Sequence, residues 1–276
     1  MDNAAFAASY SQPIGPGSAY AQPPFLYRDV EDCFIVYEAD RAGVEALLPP
    51  GMEIADESPT CIAWARWVPY STFGQYHEAY VMIRASFEGQ TYLYQPFILV
   101  DNEIPLTAGR EIWGYAKKLA VFERNWGGGD VPYGEQMTFT VQRPAGVPLM
   151  TATMVADRLA DPAELAGIDA PVLSCRIIPN AEAGKRPSVA ELVRLDVPAT
   201  LHKAQDGTSR LFAGRGSLSF PTVSSVDPWH LLAPKRIVEC YFGVYDFDLP
   251  HGKVIHDYLQ EDEIWESIEK GSLATA

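Results

Sequence analysis

The sequence is short of positive charge: 21 lysines and arginines face 36 aspartates and glutamates, for a formal charge of −15. A surface of that sign repels nucleic acid and anionic membranes, so the expected partner is a small molecule or another protein. No run approaches the roughly 18 apolar residues of a membrane helix. Met1–Ala21 has neither the basic start nor the apolar core of an export signal, so the chain is expected in the cytoplasm. Cysteine is scarce, and Cys33, Cys61, Cys175 and Cys240 lie far apart in apolar settings without a CxxC pair. That spacing excludes a disulfide framework and a zinc site, leaving four reduced core thiols. The five histidines are scattered, and the nearest pair, His251 and His256, has no HExxH context, so no metal is expected. Two glycine-rich spots, Trp126–Asp130 and Gly214–Gly216, lack the Lys-Ser/Thr ending and following helix of a phosphate cradle. They read as loops, and no cofactor is expected.

What is present is ordinary globular composition, 47% hydrophobic and 21% charged, which rules out disorder and coiled coil. Ser11–Pro24 holds four prolines and two glycines and supplies no core element, so residues 1–24 read as a flexible arm and 25–276 as a single domain. Strand-like runs follow at Cys33–Tyr37, Thr60–Tyr70, Glu78–Ser86, Thr91–Val100, Val121–Glu123, Glu135–Arg143, Leu149–Ala156, Val172–Pro179, Ala190–Pro198, Ser209–Ser219 and Ile237–Leu249. Phe87–Gln90 reads as a hairpin turn. Helical patterns are confined to Arg41–Leu48, Asp161–Leu165 and the tail Val254–Glu269. The expected fold is mainly β with a few short helices, built as an antiparallel barrel-like or cone-like sheet. Without regular strand and helix alternation, a doubly wound dinucleotide fold is disfavoured.

The chemistry is concentrated in Asp101–Ala120, where Lys117 and Lys118 follow the apolar and aromatic residues Ile112, Trp113, Tyr115 and Ala116. An ammonium against hydrophobic walls, or beside a second ammonium, is penalised in its charged form; the neutral amine can then attack a carbonyl and form a Schiff base. By residue type alone, a solvated lysine pair with its stems laid on the surface is the commoner arrangement.

The segment Gly109-Arg110-Glu111-Ile112-Trp113-Gly114-Tyr115-Ala116-Lys117-Lys118-Leu119 resembles the GRE...(Y/F)PKKL signature of the acetoacetate decarboxylase family. Looser matches in the same order run through Phe34–Tyr37, Gly74–Glu78, Tyr92–Asn102, Thr151–Met154, Ile177–Asn180 and Val254–Leu259. The resemblance implies that Lys117 is the nucleophile that forms an imine with an oxo acid, and that the family's lysine activation applies to it. Lys118 is then either the neighbouring cation or a supporting residue pointing to the opposite face of a strand.

The resemblance also places an arginine and two glutamates around the imine. In this chain the arginine position falls on Val30 and the first glutamate position on Ala63, leaving Glu78. Loss of an orienting cation and a carboxylate argues against acetoacetate decarboxylation. It points to a relative of the family's aldolase-dehydratases and cyclases of secondary metabolism, acting on a small oxo acid with an aldehyde as possible co-substrate. A β-keto acid decarboxylase and a non-catalytic small-molecule binder are the alternatives. Tyr245 is the expected proton carrier beside Lys117 and Glu78, with Tyr241 in reserve. Arg110, Trp113, Tyr115 and Tyr94 are expected to bind substrate and Glu111 to support the lysine segment. A homo-oligomer is expected.

Overall fold

The computed structural model describes residues 2–15, 17–126 and 133–269. Most of the glycine-rich loop expected at Trp126–Asp130 therefore lies outside the described residues. The strands, in chain order, are β1 (Phe25–Ala39), β2 (Met52–Ile54), β3 (Thr60–Val68), β4 (Tyr70–Ser71), β5 (Tyr76–Phe87), β6 (Gln90–Val100), β7 (Lys117–Leu119) and β8 (Val121–Arg124). They continue with β9 (Gln136–Gln142), β10 (Pro148–Leu159), β11 (Val172–Ile178), β12 (Val189–Leu195), β13 (Ala199–Leu201), β14 (Leu211–Ser219), β15 (Pro234–Leu249) and β16 (Lys253–Asp257). The helices α1 (Asn3–Ala7), α2 (Arg41–Glu45), α3 (Glu103–Ala108) and α4 (Asp262–Glu269) are short.

All these strands join one sheet, whose main path runs β16-β12-β11-β6-β5-β3-β1-β15-β14-β10-β9-β8, with β13, β2, β4 and β7 pairing beside β15, β5, β1 and β6. The fold is mainly β with a few short helices, as expected; its single sheet is mixed and does not close, since β7 and β11 both pair in parallel with β6. Parallel pairing needs a long crossover between strands, and Asp101–Ala116 supplies it for β7. The tail is corrected. Val254-Ile255-His256 is a strand in β16, paired with β12, and the α-helix starts only at Asp262. Its β-branched residues found an open edge, and pairing overrode the helical pattern.

The central strands are buried on both faces, so their apolar runs separate into two layers. On β1, Cys33, Ile35 and Tyr37 enter one layer, while Phe34 and Val36 enter the other. The hairpin expected at Phe87–Gln90 forms with Glu88 at φ 49° and Gly89 at φ 74°, the left-handed pair that a two-residue turn requires. The four cysteines are free thiols; burial pushes Cys61 and Cys240 up to about 12 and Cys175 to about 11. The segment before β1 is held against the body: Tyr20 is buried, its hydroxyl donates to Glu111, and Tyr10 packs edge-on against its ring. Among the described residues, no helix is long and apolar enough to cross a membrane.

Candidate active site

The residues of the lysine segment each have a geometric reason. Asn102 caps α3 by accepting from Ile104 N at 2.9 Å, and the chain then widens into a π-type turn over Gly109–Trp113. Gly114 ends that turn at φ 79°, where a Cβ would lie 2.3 Å from Arg176 Cα, so a side chain is excluded by both backbone angle and space. The next residues form β7, and Lys117 pairs with Ile98 of β6. Alternation turns the two lysines to opposite faces. Lys117 enters the cavity, while Lys118 Nζ bonds Asp227 Oδ1 at 2.8 Å, an aspartate it shares with Arg143. The second ammonium therefore does not face the first.

Lys117 is 5% exposed, and its Nζ lies 2.9 Å from Glu78 Oε2. Behind Glu78, Arg66 Nη1 approaches Oε1 at 3.7 Å. Arg66 in turn bonds Asp32 through both Nε at 2.6 Å and Nη2 at 2.8 Å. Lys117, Glu78, Arg66 and Asp32 thus form a line of alternating charge along the floor of a cavity of about 970 Å³. The expected loss of the polar neighbours is corrected here. Val30 and Ala63 are apolar and buried, but a cation and a second carboxylate reach the cavity from Arg66 and Asp32. Ala63 could not have served, since it faces the opposite layer. A charged residue set inside the apolar strands Val30–Tyr37 and Cys61–Val68 was the signal available in the sequence.

Burial raises the Asp32 carboxyl above the usual carboxylate range, and the Arg66 guanidinium opposes that shift. Tyr27, Tyr76 and Tyr115 surround the lysine end; burial, and then the Glu78 charge, push all three phenols up, so they remain protonated. The rings of Tyr76 and Tyr115 lie 5.7 and 5.8 Å from Lys117 Nζ. Tyr245 also lines the cavity, its ring folded back over Gly243. Burial, followed by the Asp32 charge, raises its phenol, which is thus a proton donor.

The expected substrate-binding residues divide. Tyr115 lines the cavity. Tyr94 does not. A bulge at Gln95 and Pro96, opposite Met82 alone on β5, reverses the alternation of β6 and turns Tyr94 into the other layer. Trp113 is stacked behind Tyr115 at 5.7 Å and donates its indole N–H to Pro250 O, so it is wall structure. Arg110 is exposed and donates to the backbone carbonyl of Lys117 at 3.2 Å, holding the strand and not the cavity. Glu111 is exposed too; its carboxylate takes the Tyr20 hydroxyl and its carbonyl takes Arg176 Nε. Tyr241 stacks on Phe34 outside the cavity lining. His202 lies between Asp29 and Asp246, away from the lysine cavity. There Asp246 Oδ1 accepts from Asp29 N at 2.9 Å and contacts His202 Nε2 at 2.8 Å.

The sequence profile of the acetoacetate decarboxylase family matches residues 10–259. The chain belongs to the acetoacetate decarboxylase family. Acetoacetate decarboxylase 3 of Mesorhizobium japonicum is 29% identical over 266 residues, covering 92% of this chain and 93% of that one. The crystal structure of acetoacetate decarboxylase from Legionella pneumophila superposes with a TM-score of 0.78 at 25% identity, over 94% of this chain and 98% of the other. The enduracididine biosynthesis enzyme MppR, complexed with the condensation product of pyruvate and imidazole 4-carboxaldehyde, shares the fold. Its TM-score is 0.73 at 20% identity, over 91% of this chain and 97% of MppR. As a member of the acetoacetate decarboxylase superfamily the chain is an enzyme, a lyase.

Proposed function

We propose that Lys117 forms an imine with a small oxo acid, and that the enamine derived from it adds to an aldehyde and the adduct loses water. The supporting observation is the buried Lys117 Nζ with Glu78 as proton acceptor at 2.9 Å. Glu78 takes the ammonium proton, the freed amine attacks the substrate carbonyl carbon, and water leaves to give the iminium. Arg66 holds the substrate carboxylate. Asp32 engages its Nε and Nη2, while the 3.7 Å gap from Nη1 to Glu78 is too long for a hydrogen bond and leaves a donor for an incoming acid. Glu78 gives its proton to the departing water as the iminium forms and then accepts an α-proton; the enamine so formed bonds the aldehyde carbon as Glu78 returns that proton to the aldehyde oxygen. The resulting hydroxyl leaves as water when Tyr245 protonates it and Glu78 removes a second α-proton; hydrolysis of the iminium returns the Lys117 ammonium, and the Glu78 proton restores the Tyr245 phenol.

The presence of Arg66 and Asp32 favours a second reading, decarboxylation of a β-keto acid, because an orienting cation and a second carboxylate do stand beside the lysine. Product analysis separates the two. The first reading expects a dehydrated condensation product from pyruvate and an aldehyde. Release of carbon dioxide from acetoacetate at roughly ten per second, the median enzyme rate, without any condensation would establish the second.

A further inference from the structure

The cavity floor is ordered in rows. Register places Asp32, Arg66 and Glu78 side by side on β1, β3 and β5, and two residues along each strand lie Phe34, Trp64 and Tyr80. These three rings stack across the strands, Phe34 on Trp64 at 5.3 Å and Trp64 on Tyr80 at 5.2 Å, and all three line the cavity. The row beyond is apolar, and beside it the β6 bulge turns Gln95 into the cavity. Gln95 is 5% exposed, and its Oε1 has no hydrogen-bond partner among the described residues. A buried amide oxygen without a partner is costly, and its orphaned state is relieved by a donor arriving with a ligand. Across the bulge Gln95 lies opposite Met82, two residues from Tyr80, the partner of Ile98, so it stands about 7 Å along the sheet from the strand partner of Lys117. A cavity of about 970 Å³ is at the upper end of the range that holds drug-sized molecules, well beyond a three- or four-carbon acid.

We infer that the substrate is an oxo acid carrying an aromatic ring with a hydrogen-bond donor at its far end. Its carboxylate and carbonyl meet Arg66 and Lys117, its ring lies over Phe34, Trp64 and Tyr80, and its distal hydroxyl donates to Gln95. This inference rests on the oxo-acid reading of the lysine end, and it deepens that reading by assigning the remainder of the cavity.

Saturated acids test it without imine formation. Calorimetry on the full chain compares propanoate, 3-phenylpropanoate and 3-(4-hydroxyphenyl)propanoate. The ring is expected to tighten binding at least about tenfold, the scale for burying one aromatic side chain. The hydroxyl is expected to add about tenfold more, and Gln95→Met is expected to remove that second gain while keeping the first. Circular dichroism confirms the fold of the variant. Equal affinities for propanoate and 3-phenylpropanoate overturn the inference, as does a hydroxyl gain that is absent in the parent or survives Gln95→Met. Borohydride trapping with pyruvate is read separately: failure to trap, with the affinity series intact, removes the imine and leaves the ring and amide assignment standing.

Discussion

Gly109 lies under the stem of Lys117: a Cβ at position 109 would sit 2.7 Å from the lysine Cδ and 2.9 Å from its Cε. The stem is confined between that backbone and the tyrosine rings, so the amine reaches Glu78 along one path. Gly109→Ala is expected to keep the fold but displace the amine, slowing imine formation by about a hundredfold, the scale for a misplacement near 1 Å. The rate of borohydride trapping, read against the thermal midpoint, checks this; trapping at the parent rate would show that the lysine stem has room.

Asp32 is the only carboxylate that bonds Arg66 through two nitrogens among the described residues, and both side chains are largely shielded from water. Asp32→Asn leaves a buried guanidinium without its bidentate counter-charge. The expected cost is about 3 kcal/mol of stability, the lower range for breaking a buried pair. Urea unfolding measures it, and a loss under about 1 kcal/mol, the usual worth of a surface pair, would place the pair energetically at the surface.

How much of this was legible depends on what each residue had to encode. The strands were readable because β-branched and aromatic runs mark them locally, and Lys117 was readable because the GREIWGYAKKL segment is contiguous. Tyr94 faces the other layer because the Gln95–Pro96 bulge shifts the alternation of β6 by one, a shift that no residue pattern around Tyr94 announces. Arg66 and Asp32 stand two or three residues from Val30 and Ala63, the positions to which the family's motif points, so the motif does not reveal them. The polar row is created by pairing three strands that are separated in the chain, and only register brings Asp32 opposite Arg66 and Arg66 opposite Glu78. Arg110 lies in the signature and yet faces solvent, since the π-type turn rotates it off the cavity.

Tyr245→Phe removes a single oxygen from the cavity. Imine trapping at Lys117 is expected to persist, while turnover of oxo acid and aldehyde falls by about a hundredfold, the scale for losing one general acid. Unchanged turnover would reduce Tyr245 to a packing residue and leave Glu78 as the proton carrier.

The short 3₁₀ helix Pro162–Gly167 contributes Pro162 and Leu165 to the cavity lining, and Arg158 holds its Glu164 through two bonds of 2.9 and 2.8 Å. That guanidinium, helped by the Asp161 backbone N–H, lowers Glu164 to about 2. A depressed carboxyl binds its proton less tightly in the folded state, so its stabilisation is complete above the ordinary value of 4.5 and is lost as pH falls through about 2. Arg158→Gln is therefore expected to lower the thermal midpoint at pH 6, with the difference from the parent shrinking toward pH 2. A difference that is constant with pH would mean that Arg158 acts through packing alone.

The most direct measurement is borohydride reduction of the full chain with pyruvate or a β-keto acid, followed by peptide mass spectrometry. The expected result is one reduced adduct on Lys117, abolished by Lys117→Ala and strongly slowed by Glu78→Gln. An adduct on Lys118 alone, or none with any oxo acid, would contradict the assignment of Lys117 as the nucleophile.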